Sequence, residues 1–251
     1  MTADGQVESI LSEGRQAYVA LETAAGPHVT PELYAWSGDR IWFATAATTL
    51  KARAIGDGEQ VGILVRAPGE DVLVVGPAER FDLADPVALA RRAADLPAAL
   101  RALAGFTVRN AADLLAFGRD VVTGRLGHRL PPRRVLLAVE AVEVTVVEAV
   151  GDGGVPAVAA LPGPVAVPGR WYEEERELQV LPELLDRHGV HDEAAVAVVV
   201  DRYNAPGPAA KAGTLVRGRA RRVGGSGTLA VDLDRRIEWD GTAVESAAVG
   251  V

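Results

Sequence analysis

Four short stretches of the first half of the chain recur, in the same order, in the second half. The first-half stretches are GPHVTPELY (26–34), VGILV (61–65), VVGPAER (74–80) and LAVEAVEV (137–144). Their counterparts are GPVAVPGRW (163–171), VAVVV (196–200), VRGRARR (216–222) and LAVDLDRR (229–236). Each match is weak because Gly, Val and Ala are common here, but four collinear matches indicate an internal duplication. We therefore predict two related domains, 1–150 and 151–251.

The repeated stretches have the two-residue alternation of apolar and polar side chains that is typical of antiparallel strands. Strands are expected at about 17–23, 28–36 and 40–46, with Ser37-Gly38-Asp39 as a hairpin turn. Two more strands, at 61–65 and 72–81, complete a predicted five-stranded meander that is long enough to curl into a small barrel. One long strand is expected over 135–148.

A helical block interrupts the first copy. Between about 84 and 130, Ala and Leu recur at intervals of three and four residues, and Pro131-Pro132 ends the pattern. The second copy has no such block, so we interpret it as an insertion between two strands. We expect the insertion to serve as a lid or packing element. A hydrophobic substrate pocket beneath its helices is the alternative interpretation.

Composition excludes several classes of function. The net charge of −8 disfavours nucleic acid and anionic membranes as partners, because both attract positive surfaces. There is no Cys, and no apolar stretch approaches the roughly 20 residues that span a bilayer. HGVHDE (188–193) has side chains that could ligate a metal but no matching set elsewhere, so we predict a polar loop and no metal site. A cytoplasmic protein is expected.

The segment TTLKAR (48–53) contains one of only two lysines in the chain, Lys51 and Lys211. It follows a predicted strand and combines two hydroxyls, an ammonium and a guanidinium in one short loop. This combination suits a phosphate group, since Arg can bind two oxygens at once and Lys adds a compact point charge. An N-capped helical turn with two solvated cations is the alternative.

The order of these motifs resembles that of the split β-barrel superfamily of pyridoxamine 5′-phosphate oxidase-like proteins, including its deazaflavin (F420)-dependent branch. Residues 15–81 contain five motifs in the family's order: GPHVTP, GDRIWFAT, TTLKAR, VGILV and VVGPAER. The family often has Asn after the Arg of the TTLKAR-type motif, whereas Ala54 stands here. The resemblance implies a mainly β (α+β) fold, a split β-barrel duplicated in one chain with a helical insertion in the first copy.

The same resemblance implies a site for FMN or F420. Thr45, Thr48, Thr49, Lys51 and Arg53 would bind the cofactor's phosphate. The residues that would line the ring face are His28, Val29 and Thr30. Tyr34 and His28 are the plausible proton donors, and no catalytic residue is assigned.

Family members are normally homodimers with cofactors between two barrels. A tandem chain is therefore expected to fold as an intramolecular pseudodimer, and a further homodimer of the whole chain is left open. Trp239 resembles the family's late aromatic residue that reaches across this interface, or else it fills its own barrel. One face of a predicted strand carries Arg217, Arg219 and Arg221. These arginines are interpreted either as the charged side chains of a solvated edge strand or as a strip that contacts an anionic cofactor tail.

The sequence thus predicts a flavin- or deazaflavin-dependent oxidoreductase that transfers hydride to or from a small organic substrate. The alternative is a split-barrel protein without catalysis, which binds FMN, F420 or haem or has no cofactor.

Overall fold

A computed structural model of the protein describes residues 3–14, 16–67, 69–82, 84–123, 133–148, 150–190, 193–203, 211–240 and 243–249. Within them, the helices are α1 (Ala3–Glu13), α2 (Leu50–Ala54), α3 (Pro86–Arg91), α4 (Leu96–Arg109), α5 (Ala111–Val122) and α6 (Pro182–Arg187). The strands of the first half are β1 (Gln16–Thr23), β2 (Gly26–Leu33), β3 (Ala35–Trp36), β4 (Arg40–Ala46), β5 (Gln60–Arg66), β6 (Glu70–Phe81), β7 (Arg134–Glu140) and β8 (Glu143–Glu148). Those of the second half are β9 (Val155–Leu161), β10 (Val165–Tyr172), β11 (Glu177–Val180), β12 (Glu193–Tyr203), β13 (Lys211–Arg222), β14 (Thr228–Asp240) and β15 (Ala243–Ala248).

The first half forms a curled sheet with the strand order β2-β1-β5-β6-β7-β4-β3. The β1–β2 and β5–β6 pairs are hairpins, as alternation along the sequence predicts. The predicted five-stranded meander is wrong in one respect, because β4 does not continue it. Instead β4 pairs along its length with β7, which follows the helical insertion.

The predicted single strand over 135–148 is divided into β7 and β8. Both pair with β6, which is long enough to hold β8 against its first half and β7 against its last residues. The segment between β7 and β8 passes over Gly76 of β6. A Cβ added at Gly76 would lie 1.8 Å from the carbonyl oxygen of Glu140. The split therefore depends on the absence of a side chain at Gly76.

The second half has the order β11-β10-β9-β12-β13-β14-β15, and β11 also pairs with β14. This extra pairing closes six strands into a barrel. In the first half, the end strands β2 and β3 have no such pairing among the described residues, so that sheet remains a half-barrel.

Five strands in the order β2-β1-β5-β6-β7 correspond to β10-β9-β12-β13-β14 of the second half, which confirms the duplication. Three of the repeated stretches of the first copy fall on β2, β5 and β6, and the fourth begins in β7 and ends in β8. Their counterparts fall on β10, β12, β13 and β14. The insertion is also where the sequence places it: α3, α4 and α5 lie between β6 and β7, whereas five residues join β13 to β14. Helix α4 packs its buried Ala99 and Ala102 against the outer face of β4 and β7.

The outer face of the first sheet packs directly on the second barrel. Tyr18, Ala20, Val29 and Leu64 belong to one apolar cluster with the core of the second half. The closest approach is at Gly62, where an added Cβ would lie 2.2 Å from the Pro164 carbonyl oxygen. No described helix is both long enough and apolar enough to cross a membrane.

Candidate functional site

Helix α2 begins within TTLKAR, at Leu50, and Thr49 is its N-cap residue. The Thr49 hydroxyl accepts a hydrogen bond from Ala52 N at 3.3 Å and donates one to Ala46 O at 2.9 Å. Because that donation uses its single proton, Thr45 must donate in the 3.1 Å contact between the two hydroxyls. Both side chains therefore hold the turn, as the capped-turn alternative predicts, and Thr48 is exposed.

Lys51 lies on the inner side of α2 and is only 8% exposed. Its Nζ donates a hydrogen bond to Thr30 Oγ1 at 3.2 Å and forms an ion pair with Glu32. Burial first, and then the positive charge of Lys211, lower the pKa of Lys51 to about 7. The Glu32 carboxylate acts in the opposite sense, because it favours the charged ammonium.

Arg53 points elsewhere. It follows Lys51 by two residues, which is about 200° around a helix. Its side chain is exposed and lines an open cavity of about 700 Å³ together with two other arginines and four aspartates. Those aspartates would repel a phosphate, so the structure does not bring Arg53 to the same ligand as Lys51.

His28 of the first barrel contacts a buried arginine of the second barrel. Arg217 Nη2 is 2.5 Å from His28 Nδ1, although 189 residues separate them. Burial, Arg217 and Lys51 lower the pKa of His28 to about 4. A neutral His28 that accepts through Nδ1 carries its proton on Nε2, where it can donate to a ligand but is not an acid at pH 7.

Arg217 is 8% exposed, and its Nε is buried without a hydrogen-bond partner among the described residues. Burial and then the nearby Arg235 lower its pKa, and the opposite charge of Asp234 does not fully offset them. Its strand, β13, lies between β12 and β14, so the interpretation of a charged edge strand is wrong. Arg219 and Arg221 are exposed on the same strand, and Arg217 differs because the first barrel covers it. We refer to His28, Thr30, Glu32, Lys51 and Arg217 as the interbarrel cluster.

Two other predicted residues lie apart from this cluster. Val29 faces the opposite side of β2 and belongs to the apolar core shared with the second barrel. Tyr34 is fully buried in the core of the first barrel, where its hydroxyl donates to Leu11 O at 2.8 Å. Burial raises the pKa of Tyr34, which makes it a structural residue rather than a proton donor.

Trp239 lies on β14 and packs over Gly213 of β13, where an added Cβ would lie 2.3 Å from the indole ring. It lines a cavity of about 490 Å³ whose walls come from β12, β13, β14 and β15. The structure therefore places Trp239 in a cavity of the second barrel, with none of the interbarrel cluster in its described lining. His191 and Asp192 of the HGVHDE segment lie outside the described residues.

A cavity lies beside the cluster and beneath the inserted helices, where the sequence analysis left a hydrophobic substrate pocket as an alternative. It measures about 200 Å³ and is lined by residues of the first barrel, of the insertion and of the second barrel, including Glu32, Phe117, Arg134 and Lys211. The only two lysines of the chain thus lie near each other, since Lys211 also influences the pKa of Lys51. The rarity of lysine was the signal that could have linked them.

The interbarrel cluster fits the anionic part of a phosphorylated cofactor. Lys51 and Arg217 are cations that are almost excluded from water, and Glu32 is the only carboxylate among the five residues. The Nε–H of Arg217 has no hydrogen-bond partner among the described residues. This group and the Nε2–H of His28 are donors to which a phosphate oxygen can bind. Of the predicted phosphate ligands, Lys51 is brought to this cluster, whereas Thr48 and Arg53 are not.

No protein-family model matches the chain, and no curated protein matches it. Among solved structures, it is similar to a pyridoxamine 5′-phosphate oxidase-related, FMN-binding protein from Nostoc punctiforme, at 14% identity over 69% of this chain and 93% of that one, with a TM-score of 0.43.

Two further solved structures are similar to this chain at comparable levels. An F420 reductase is 19% identical over 55% of this chain and 94% of that one, with a TM-score of 0.36. A protein of unknown function from Agrobacterium tumefaciens is 20% identical over 59% of this chain, with a TM-score of 0.35. The match spans only 57% of the Agrobacterium chain. By its own strand pairings, the protein is a duplicated split β-barrel with a helical insertion in the first copy.

Proposed function

We propose that the protein binds a phosphorylated flavin-type cofactor, FMN or F420, at the interbarrel cluster and is an oxidoreductase. Bound there, the cofactor would supply hydride transfer to or from a small organic substrate. The pseudodimer arrangement belongs to this proposal, because the cluster takes His28, Thr30, Glu32 and Lys51 from the first barrel and Arg217 from the second.

The observation that carries the proposal is the buried positive charge at the contact between the barrels. Burying a cation costs free energy unless an opposite charge or a full set of hydrogen bonds compensates it. Arg217 has a neutral histidine beside it and a buried Nε without a described partner, and the charge of Asp234 offsets its burial only in part. A phosphate would compensate this charge, and no apolar ligand would.

Each residue of the cluster has a distinct task in this proposal. Arg217 can present two N–H groups to two phosphate oxygens, and Lys51 adds a point charge. His28 donates through Nε2, in the tautomer that its contact with Arg217 selects. The Thr30 hydroxyl positions the Lys51 ammonium by accepting its hydrogen bond.

Two observations favour a second candidate, a split-barrel protein without a cofactor. Lys51 already has Glu32 as its counter-ion, and the adjoining cavity of about 200 Å³ is smaller than the ~300–1,000 Å³ of pockets for drug-sized ligands. In this case the buried cations would serve the contact between the barrels alone.

Equilibrium titration separates the two candidates. FMN, riboflavin and F420 are each added to the purified protein, and binding is followed by cofactor absorbance and fluorescence. The proposal predicts that FMN or F420 binds and that riboflavin, which lacks the phosphate, binds at least about tenfold more weakly than FMN, because charged hydrogen bonds contribute about 1.5–3 kcal/mol each. Equal affinity for FMN and riboflavin, or no binding of FMN and F420, would reject it.

A further inference from the structure

Strand β8 has one edge without a described partner. It pairs with β6 on one side, and no described strand pairs with its other side. Among the described residues, no hydrogen bond uses the backbone N–H and C=O groups of that outer edge. An open row of backbone donors and acceptors is a template on which another extended segment can pair.

A groove of about 530 Å³ lies beside this edge, and we call it the β8 groove. Three consecutive residues of β8 line it, Val144, Thr145 and Val146. Successive side chains of a strand point to opposite faces, so a wall made of three residues in a row is the edge of the strand. The β8 groove therefore borders the unpaired backbone groups.

The rest of the lining is mostly apolar. It includes Val7 and Leu11 of α1 and Trp36 of β3. Strand β3 is an end strand of the same sheet, and β4 is its one described partner. An extended segment in the β8 groove would thus bond to a free strand edge and contact an apolar surface.

Strand β8 lacks the features that usually protect an edge strand. Lys, Pro or a bulge commonly prevents such strands from pairing with other chains. There is no Lys or Pro in β8, and its register with β6 runs without a bulge. Val144 and Val146 are 39% and 36% exposed. Because burial of these side chains is favourable, a partner strand would stabilise this edge.

The charges of β8 disfavour a second copy of the chain as that partner. In full-length antiparallel pairing of β8 with its own copy, Glu143 would lie opposite Glu148 at both ends. Like charges that lie directly opposite each other destabilise a strand pair. The same two carboxylates would favour a strand with basic side chains.

The charged residues that line the β8 groove are also acidic. They are Glu8 and Asp39, both exposed and without an ion pair among the described residues. Arg40, which follows Asp39, is 2.9 Å from a carboxylate of β6. One cation does contact β8, since Arg187 of α6 donates to the Thr145 hydroxyl at 3.2 Å. With Arg187 counted, the groove still has an excess of negative charge.

We propose that the β8 groove docks an extended segment of a partner protein in which apolar and basic residues alternate. The segment pairs with β8 as an added strand. Its apolar side chains cover Val144 and Val146, and its basic side chains balance Glu8 and Asp39. This docking is independent of the proposed function, because no residue of the interbarrel cluster lines the groove.

Peptide binding to the full-length protein tests the chemistry of the occupant. A fluorescein-labelled peptide of seven residues, in which Lys and Val alternate, is titrated by fluorescence anisotropy. We expect a dissociation constant below about 1 mM. Binding should be at least fivefold weaker when Glu replaces each Lys, and also when every backbone N–H is methylated. No binding of the Lys–Val peptide, or equal binding of either modified peptide, would overturn the proposal.

A substitution on β8 tests the location. Val144→Lys adds a cation to the groove and should weaken binding of the Lys–Val peptide at least fivefold, with the fold retained because Val144 is partly exposed. Val244→Lys is the matched control, since Val244 is exposed on β15 and outside the lining. Unchanged binding to Val144→Lys, or equal weakening in both variants, would contradict the proposal.

Removal of the carboxylates tests the charge without adding a side chain. Glu8→Gln combined with Asp39→Asn should weaken binding at least threefold, and Asn tolerates the positive φ of Asp39. Glu174→Gln combined with Glu245→Gln removes the same charge from exposed sites outside the lining and should leave binding unchanged. Equal affinities of the two double variants would reject the role of the groove carboxylates.

Hydrogen exchange locates the added strand directly. With the Lys–Val peptide bound, exchange of backbone amides should slow in β8 and stay unchanged in β15, the end strand of the second sheet. Unchanged exchange in β8 would overturn the proposal. Sedimentation of the free protein is the remaining check, because a dimer that Val144→Lys dissociates would assign this edge to a second copy instead.

Discussion

Lys51 and Arg217 show how a side chain's surroundings decide its role. Both are cations with less than a tenth of their surface exposed, and both come from stretches in which neighbouring charges are solvated. Arg53 and Arg219 share their elements but face water. Charge and spacing are therefore poor guides to a binding site until burial is known, and the protein retains two buried cations at a cost that a ligand can offset.

His28 should make the stability of the protein depend on pH. Its folded pKa of about 4 lies below its ordinary value of 6.5, so the unfolded chain binds the proton first as the pH falls. Stability from this group is complete above pH 6.5 and is lost toward pH 4, by about 3 kcal/mol. Urea unfolding of wild type and His28→Gln at both pH values measures it, since the difference between the proteins removes the contribution of carboxylates. An identical loss in both proteins would contradict the assignment.

Lys51 should make cofactor affinity depend on pH in the opposite range. Its charge is lost as the pH rises above about 7, so affinity for FMN or F420 should fall between pH 6 and pH 9. Lys51→Arg keeps its charge over this range, so its affinity for the cofactor should not fall between pH 6 and pH 9. Lys51→Met should bind about tenfold more weakly than wild type at pH 6, whereas Arg53→Met should not. An affinity that Lys51→Met leaves unchanged would remove Lys51 from the site.

At the scale of elements, helix α2 directs the two cations of the TTLKAR motif to different sides. TTLKAR reads as one cationic loop, but folding it into a single helical turn sends Lys51 inward and Arg53 outward. Thr49 and Thr45 are used in the turn itself. The loop positions one lysine, and the remaining charge of the site comes from β13 of the second barrel.

The cap of α2 gives a prediction about stability. Thr49→Ala removes a hydrogen bond to Ala52 N and the donor to Ala46 O, so it should lower the free energy of unfolding by about 1 kcal/mol. Thr48→Ala is the matched control, and because Thr48 is exposed its change should be within about 0.5 kcal/mol. Chemical denaturation measures both. Equal effects of the two substitutions would show that the cap is not what stabilises this turn.

The elements that sequence could predict are those whose signals are local. Alternation located the β1–β2 and β5–β6 hairpins. Gly38 and Asp39 form the predicted turn between β3 and β4 with positive φ, which these residue types tolerate. The insertion was recognisable because its period differs from that of the strands around it. Pairing of β4 with β7 was not predictable, since 87 residues lie between the ends of these strands, and alternation does not say which strand is the neighbour.

The same limit applies to the site. Lys51, His28 and Thr30 were predicted as cofactor-binding residues because they lie in motifs that resemble a family pattern. Lys51 donates to Thr30 and its charge acts on His28, whereas their binding of a cofactor stays a prediction. Arg217 was noted only as part of a charged strip, because its contact with His28 spans 189 residues. No local pattern reports that the first barrel covers one arginine of the strip and leaves the next two in water.

At the scale of the whole molecule, the two copies behave as one unit with different tasks. The second barrel is closed and supplies most of the shared apolar cluster, while the first is a half-barrel that packs its outer face on it. Hydrogen bonds also cross this contact, since Tyr18 and Gln16 both donate to Asp201 of β12. Unfolding of either copy would expose the core of both, so a single cooperative transition is expected.

Gly62 tests how closely the barrels must approach. Gly62→Ala places a methyl group 2.2 Å from the Pro164 carbonyl oxygen and should destabilise the protein by about 1–3 kcal/mol, with one transition retained. Gly105→Ala is the control, because Gly105 lies in α4 with open space around it and should be neutral or stabilising. Calorimetric scans of both proteins measure this. Two separate transitions in either scan would contradict a shared core.

The central claim is that the contact between the barrels is an anion site completed by the second copy. Its most direct test is the FMN or F420 dissociation constant of Arg217→Met. Arg217 is buried against His28, and Arg219, two residues further along β13, is exposed. Loss of a charged hydrogen-bond donor predicts an increase of at least about tenfold for Arg217→Met and no change for Arg219→Met. Unchanged binding in Arg217→Met, or equal weakening in both variants, would contradict the claim.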